Sequence, residues 1–256
     1  PCKPQDEERV KVATAVRAAI LGEQSAIFIS FEYIDMKRLT ETQAVSLVER
    51  HLVSPEFISE RQGRGLLLMK DESVSIMINE EDHVRIQVMK QGLDLEGAYE
   101  MADRLDTLLD EELSFAFDDR LGYLTQCLTN LGTGMRASLM LHLPALQESG
   151  AMGRIAGSLS KLGMTIRGIY GEGSEPRGAL YQLSNQVTLG LSEQAAMSNL
   201  KDIAMQLISQ ERAARQAAGK HIETLDLVGR SLGILRGARV LNNDEFMKLV
   251  SNVRLG

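Results

Sequence analysis

Cys127-Leu-Thr-Asn-Leu-Gly-Thr-Gly-Met-Arg136 sets a thiol, two closely spaced glycines and an arginine between apolar runs. Gly132 and Gly134 allow positive φ and close approach of backbone to a ligand. Thr129, Asn130 and Thr133 add side-chain hydrogen bonds, and Arg136 adds a forked, permanently charged donor suited to phosphate. The stretch reads as a binding loop. It matches neither a P-loop nor a dinucleotide fingerprint, so its pattern alone leaves anion binding and an ordinary glycine turn both open.

Outward from this loop the chain alternates short β-rich runs with amphipathic helices. On the C-terminal side Ala137 to Leu143 is strand-like and ends at Pro144; a helix is expected through about Leu162, then a strand at Met164 to Ile169. Gly171 and Gly173 interrupt regularity, Ala179 to Ser184 returns as a strand, and Ser192 to about Ala218 is helical, with further helices near Leu225 to Leu235 and Asp244 to Val253. On the N-terminal side Asp94 caps a helix whose Leu95, Ala98, Met101, Ala102, Leu105 and Leu108 form one apolar stripe. Leu66 to Lys70, Val74 to Ile78 and Val84 to Met89 read as antiparallel strands, with Asp71-Glu72 as the first turn. Thr40-Glu-Thr-Gln43 has capping-box spacing and opens a helix to about Arg50. Ala26 to Glu32 is a further strand, and Asp6 to Leu21 a helix with Val10, Ala13, Val16, Ala19 and Ile20 on its apolar side. Strands clustered ahead of and between helices, without regular βαβ alternation, predict an α+β fold with an antiparallel sheet.

The 256 residues, 44% hydrophobic, can bury a sizeable core in one domain or two. A formal charge of −7 and the lack of a dense basic run argue against nucleic-acid binding. Apolar runs such as Gly65 to Met69 fall far short of the roughly 20 residues needed to cross a bilayer. No secretory signal is apparent, and the expectation is a soluble, cytoplasmic protein without a membrane partner. Cys2 and Cys127 sit in different contexts, so Cys127 is expected as a free thiol. Histidines are too few and scattered for a zinc site, and no metal ligand set is read from the chain.

Three motifs carry a more specific reading. Cys127 to Arg136 resembles the cysteine loop of the guanidino kinases (ATP:guanido phosphotransferases), and Asn79-Glu-Glu-Asp-His-Val-Arg85 resembles their second signature. Arg167-Gly-Ile-Tyr-Gly-Glu-Gly-Ser-Glu175 is similar to the substrate loop of the bacterial protein arginine kinases. Gly122-Tyr-Leu-Thr125, Met140 to Leu146 and Ser184 to Gly190 also resemble that branch. The similarity runs from about Thr40 to Gly256. It implies a curved antiparallel β-sheet flanked by helices, like that of glutamine synthetase, and an enzyme that uses Mg²⁺ and ATP to phosphorylate exposed arginines of protein substrates. An activator protein and a homodimer belong to the same expectation.

The resemblance also assigns roles. Arg85, Arg136 and Arg167 would grip ATP phosphates, and His51, Ser138 and Met140 are candidate nucleotide contacts. A guanidinium, with a pKa above about 12, cannot lose its proton ahead of reaction. Carboxylates must hold it and accept that proton as the N–P bond forms; Glu81 and Glu175 match the family's positions for this, and Cys127 would contact the acceptor electrostatically. Glu80, Asp82 and Glu172 are read as solvated or supporting charges. Leu128 stands where the family has proline. The arginine-rich segment near the start of the family's catalytic domain is not found, and the chain is expected to be one phosphotransferase domain over 1–256 without that segment and without the C-terminal helical domain. A kinase of free arginine or another small guanidino compound, and an inactive module that binds arginine or phosphoarginine, stand as alternatives.

Overall fold

Strand-forming runs pair as their alternation predicts. In the computed structural model, which describes residues 6–22, 30–168 and 176–256, β1 (Phe31–Asp35), β2 (Gly65–Met69), β3 (Val74–Ile78) and β4 (Val84–Val88) form a four-stranded antiparallel sheet in that order. This sheet lies in the first of two compact units, Pro1–Gly134. The Asp71-Glu72 turn closes β2 onto β3: the Asp71 carboxylate accepts from the Ser73 amide at 3.1 Å, and Glu72 takes φ +60°.

The period-2 alternation sorts side chains to two cores. Leu67, Ile76 and Ile78 face α1 (Asp6–Leu21) and α4 (Leu95–Glu112), meeting Val16, Ile20, Leu105 and Leu109. Leu66 and Met77 face the other way, against Leu47 of α2 (Glu41–Glu49), Phe57 of α3 (Pro55–Ser59) and Leu52 between them. Each fully buried Leu or Ile contributes roughly 1.5–3 kcal/mol of transfer free energy. The Thr40 capping box forms with Gln43, Asp94 caps α4 at the Gly97 amide, and Ser54 caps α3.

Several expectations shift. Val10 is 55% exposed; Arg9 takes its place on the inner side of α1 at 6%. Leu109 joins the α4 stripe as a fully buried residue. Of the strand expected at Ala26 to Glu32, residues 26–29 lie outside the described residues, and the described strand runs on to Asp35. Helix α3 and a small hairpin, β5 (Phe117–Asp118) with β6 (Gly122–Tyr123), were not anticipated.

The second unit, Met135–Gly256, is built on β7 (Ser138–His142), β8 (Met164–Gly168) and β9 (Leu180–Asn185), antiparallel in the order β7-β9-β8. The helix expected from Pro144 to Leu162 is two helices, α5 (Pro144–Glu148) and α6 (Met152–Lys161). Gly150, at φ +70°, turns the chain between them. Tyr181, Leu143 and Leu146 form the buried centre, with Ile155, Ile166 and Ala214 packed on it. Helices α7 (Glu193–Ala218), α8 (Ile222–Gly237) and α9 (Asn243–Leu255) complete the unit close to their predicted bounds. No described helix is long and apolar enough to cross a membrane.

Candidate functional site

The β3–β4 loop, Asn79 to His83, leaves the sheet through a residue held in the left-handed region: Asn79 has φ +63° and is 4% exposed. Its side-chain amide donates to the carbonyls of Arg9 and Gly63, both at 2.8 Å, and its amide N–H donates to His83 O at 2.9 Å. The buried Arg64 guanidinium donates to Asn79 O at 3.0 Å and also to Glu56 O and Phe57 O. The loop therefore starts from a fixed point.

The next three residues are carboxylates with different surroundings. Of the two roles open to Glu80, solvated or supporting, the structure shows the second: its side chain is 7% exposed. Ser54 Oγ donates to it at 2.5 Å, Arg85 reaches both its oxygens at 3.3 and 3.4 Å, and the Glu81 amide donates at 3.1 Å. Burial pushes the Glu80 carboxyl up, but the Ser54 hydroxyl, the Arg85 charge and the Glu81 amide together outweigh it and hold it below the usual glutamate range. Asp82 turns to the cysteine loop, accepting from the Gln126 amide at 2.7 Å and from Asn130 Nδ2 at 3.2 Å. Glu81, between them, is exposed, and no described group bonds its carboxylate.

Asp82 thus joins the two signatures that lie in this unit. In the cysteine loop, Cys127 precedes a 3₁₀ turn, Leu128–Asn130; its carbonyl accepts from Thr125 Oγ1 at 2.7 Å and from the Asn130 amide at 3.0 Å. Cys127 is a free, half-buried thiol, with Sγ 2.9 Å from Thr129 Oγ1. The base of the loop is clamped by the β-bridge between Tyr123 and Gly132, and the Tyr123 hydroxyl donates to Asp106 at 2.8 Å. Gly122 (φ +73°) packs so tightly on the Gly132 backbone that no side chain fits there.

His51 lies in the turn after α2, with φ +59°, and its carbonyl accepts from Gln87 Nε2 at 2.6 Å. Gln87 and Arg85 alternate onto the same face of β4, so His51 neighbours the side of the strand that carries Arg85. Burial lowers the pKa of its imidazole, favouring the neutral ring.

In the second unit, Ser138, Met140 and Arg167 share one face of the three-stranded sheet. The register sets Met140 opposite Gln182 and Gln182 opposite Arg167 in one row, with Ser138, Ser184 and Thr165 in the next. Met140 is 51% exposed. Arg136 lies exposed just ahead of β7, where Asn185 fixes the backbone, accepting from the Ala137 amide at 2.7 Å and donating to Met135 O at 3.1 Å. Glu175 and Glu172 lie outside the described residues. Among the described residues no group of three His, Cys, Asp or Glu converges as a metal cage.

Sequence reading passed over Ser54, Arg64 and Gln182. Ser54 meets Glu80 26 positions away, Arg64 meets Asn79 15 positions away, and Gln182 meets Arg167 only through sheet register, so no local spacing announces them.

Comparison with known proteins agrees with the motifs. The family model described as ATP:guanido phosphotransferase, C-terminal catalytic domain, matches residues 11–214, and that of the protein-arginine kinase McsB C-terminal domain matches residues 221–256. The protein-arginine kinase of Caldanaerobacter subterraneus is 47% identical over 100% of this chain and 77% of its own length. That of Halothermothrix orenii is 51% identical over 89% of this chain and 66% of its own. Among solved structures, taurocyamine kinase from Schistosoma mansoni, with bound transition-state analogue components, superposes with a TM-score of 0.70 at 29% identity, covering 81% of this chain and 30% of that one. Lombricine kinase does so with a TM-score of 0.70 at 28% identity, covering 86% and 63%. The chain belongs to the ATP:guanido phosphotransferase family, among its protein-arginine kinases.

Proposed function

We propose that this chain transfers the γ-phosphoryl group of ATP to the guanidinium of arginine residues in proteins. What supports this most directly is the disposition of Glu80, Glu81 and Asp82. The outer two are committed to Ser54, Arg85, Gln126 and Asn130, which leaves the Glu81 carboxylate available on a loop tied to that of Cys127.

In this reading a guanidinium nitrogen attacks the γ-phosphorus, the N–P bond forms, the bond to the ADP oxygen breaks, and the guanidinium proton passes to a carboxylate. Glu81 orients the planar acceptor and takes that proton; Glu175 is the second carboxylate. Arg85, Arg136 and Arg167 neutralise nucleotide phosphates, which is the principal demand of phosphoryl transfer. Arg85 comes to that task pre-aimed, since Glu80 holds one of its nitrogens. His51, Ser138 and Met140 serve the nucleotide, and Cys127 lies beside the acceptor. Mg²⁺ would enter on the phosphates, as expected of an ion that keeps most of its waters, and would supply charge neutralisation there. The phosphotransferase domain would run to about residue 214, with the start of a C-terminal helical domain from 221. Cytoplasmic location, an activator protein and self-pairing complete the reading.

The test is incubation with Mg²⁺-ATP and an unfolded arginine-containing protein, read by mass spectrometry under non-acidic conditions that preserve the N–P bond. Glu81→Gln should keep ATP affinity and lose at least roughly 10²-fold in turnover. Unchanged turnover removes Glu81 from the mechanism. Free arginine, assayed in parallel, should be the poorer acceptor; preference for it would move the substrate to small guanidino compounds. ATP-independent binding of arginine peptides without product would leave a binding module.

A further inference from the structure

The second unit holds a cavity of about 340 Å³ lined by His142 of β7, Glu211, Arg212 and Arg215 of α7, and Arg254 of α9. Its floor is fully bonded. Glu211, 4% exposed, accepts from the amides of Ala145 at 3.1 Å and Leu146 at 2.9 Å, and from Arg215 Nε at 2.6 Å. Arg215 gives its other N–H groups to Arg254 O at 3.1 Å, His142 O at 3.1 Å and His142 Nδ1 at 3.0 Å. A guanidinium can only donate, so Nδ1 is the accepting nitrogen and Nε2 carries the hydrogen toward Ser251 Oγ, 2.9 Å away.

The walls are different. Arg212 and Arg254 have no carboxylate partner among the described residues. Three guanidinium groups therefore face one carboxylate, and two positive charges stay uncompensated. The histidine registers the excess: burial first, then Arg215 and Arg254, push His142 down to about 4, against the opposing pull of Glu211.

We propose that this cavity binds a small phosphoryl-bearing anion, inorganic phosphate or a phosphate monoester, held by Arg212 from α7 and Arg254 from α9. Guanidinium forks match phosphate oxygens in pairs, and the volume falls within the range of small-ligand pockets, which begins at about 300 Å³. The lining residues are distinct from Arg85, Arg136 and Arg167. Arg212 lies among residues matched by the catalytic-domain model and Arg254 among those matched by the C-terminal model; an anion held by both would fasten α9 to α7.

The experiment uses the whole chain with its four histidines isotopically labelled, titrated with inorganic phosphate at pH 7 against sodium chloride at matched ionic strength. The His142 ring resonance should move saturably with phosphate. In the Arg212→Ser, Arg254→Ser double variant the response should weaken at least roughly tenfold, and the His142 pKa should rise without any anion. Both arginines are exposed, and the resonances of His51, His83 and His221 report whether the variant keeps its fold. O-phosphoserine in a second arm should produce the same shift; failure to do so restricts the site to inorganic phosphate and overturns the monoester half. No movement beyond the chloride control, or an equal movement in the double variant, overturns the proposal.

Discussion

Glu80 and Asp82 lie one residue either side of Glu81, yet each is spent on different partners. Glu80 faces Ser54 and Arg85, and Asp82 faces the backbone of the cysteine loop. Replacing Asp82 by Asn removes the charge that accepts from the Gln126 amide and Asn130 Nδ2. The loss should be about 1–3 kcal/mol of stability, seen in urea unfolding. Turnover should fall roughly 10- to 10²-fold through misplacement of the Cys127 loop, with KM for ATP nearly unchanged. An equal rise in KM for ATP would instead place Asp82 on the nucleotide. The motif resemblance singles out Glu81 but does not say what Glu80 and Asp82 bond to, because burial is decided by residues that arrive from elsewhere in the chain. Ser54 precedes Glu80 by 26 positions and Gln126 follows Asp82 by 44.

Elements were legible where their signals are local. The Thr40–Gln43 capping box, the Asp94 and Ser192 caps and the alternation of β2 to β4 all lie within a few residues of what they determine. Helix phase was less so. The inner side of α1 takes Arg9 and not Val10 because Glu60 and Gln62 O offer its guanidinium acceptors there, and hydrophobic spacing carries no notice of them. The β5–β6 hairpin was missed because two-residue strands leave no period to read. Its importance is steric: Gly122→Ala would put a methyl group into the Gly132 carbonyl at a positive φ. The cost should be about 1–3 kcal/mol or more, measured by thermal unfolding, with activity lost in proportion to the cysteine loop's displacement. A second element-level device is the tie from β7 to α7 and α9 through His142. Its folded pKa, about 4, lies below the ordinary 6.5, so between those values the unfolded chain binds more protons. The histidine's contribution is fully present above about pH 6.5 and is lost as pH falls toward 4. Urea midpoints measured from pH 7 to 4.5 should therefore drop more steeply for the wild type than for His142→Gln.

At the scale of the whole molecule, composition bounded the class and the motifs supplied the family, while the division into two units and the placing of candidate residues in both were not readable from spacing. The first unit carries Glu81, Arg85, His51 and Cys127, and the second carries Arg136, Ser138, Met140 and Arg167. One bond in the first unit has a consequence for how that unit can be cut and reassembled. Asn79 is fastened to Arg9 O, 70 positions earlier, so the loop that presents Glu81 leans on a helix from the other end of the unit. A fragment begun after Gly22 should lose most of its activity, and a synthetic peptide of residues 6–22 added in trans should restore it by complementation. A peptide made with Ala13 replaced by proline would break the helix in its interior and should fail to complement. Activity that survives without the peptide would mean the loop stands unaided. The segment behaves less like a cap on the sheet than like a detachable key.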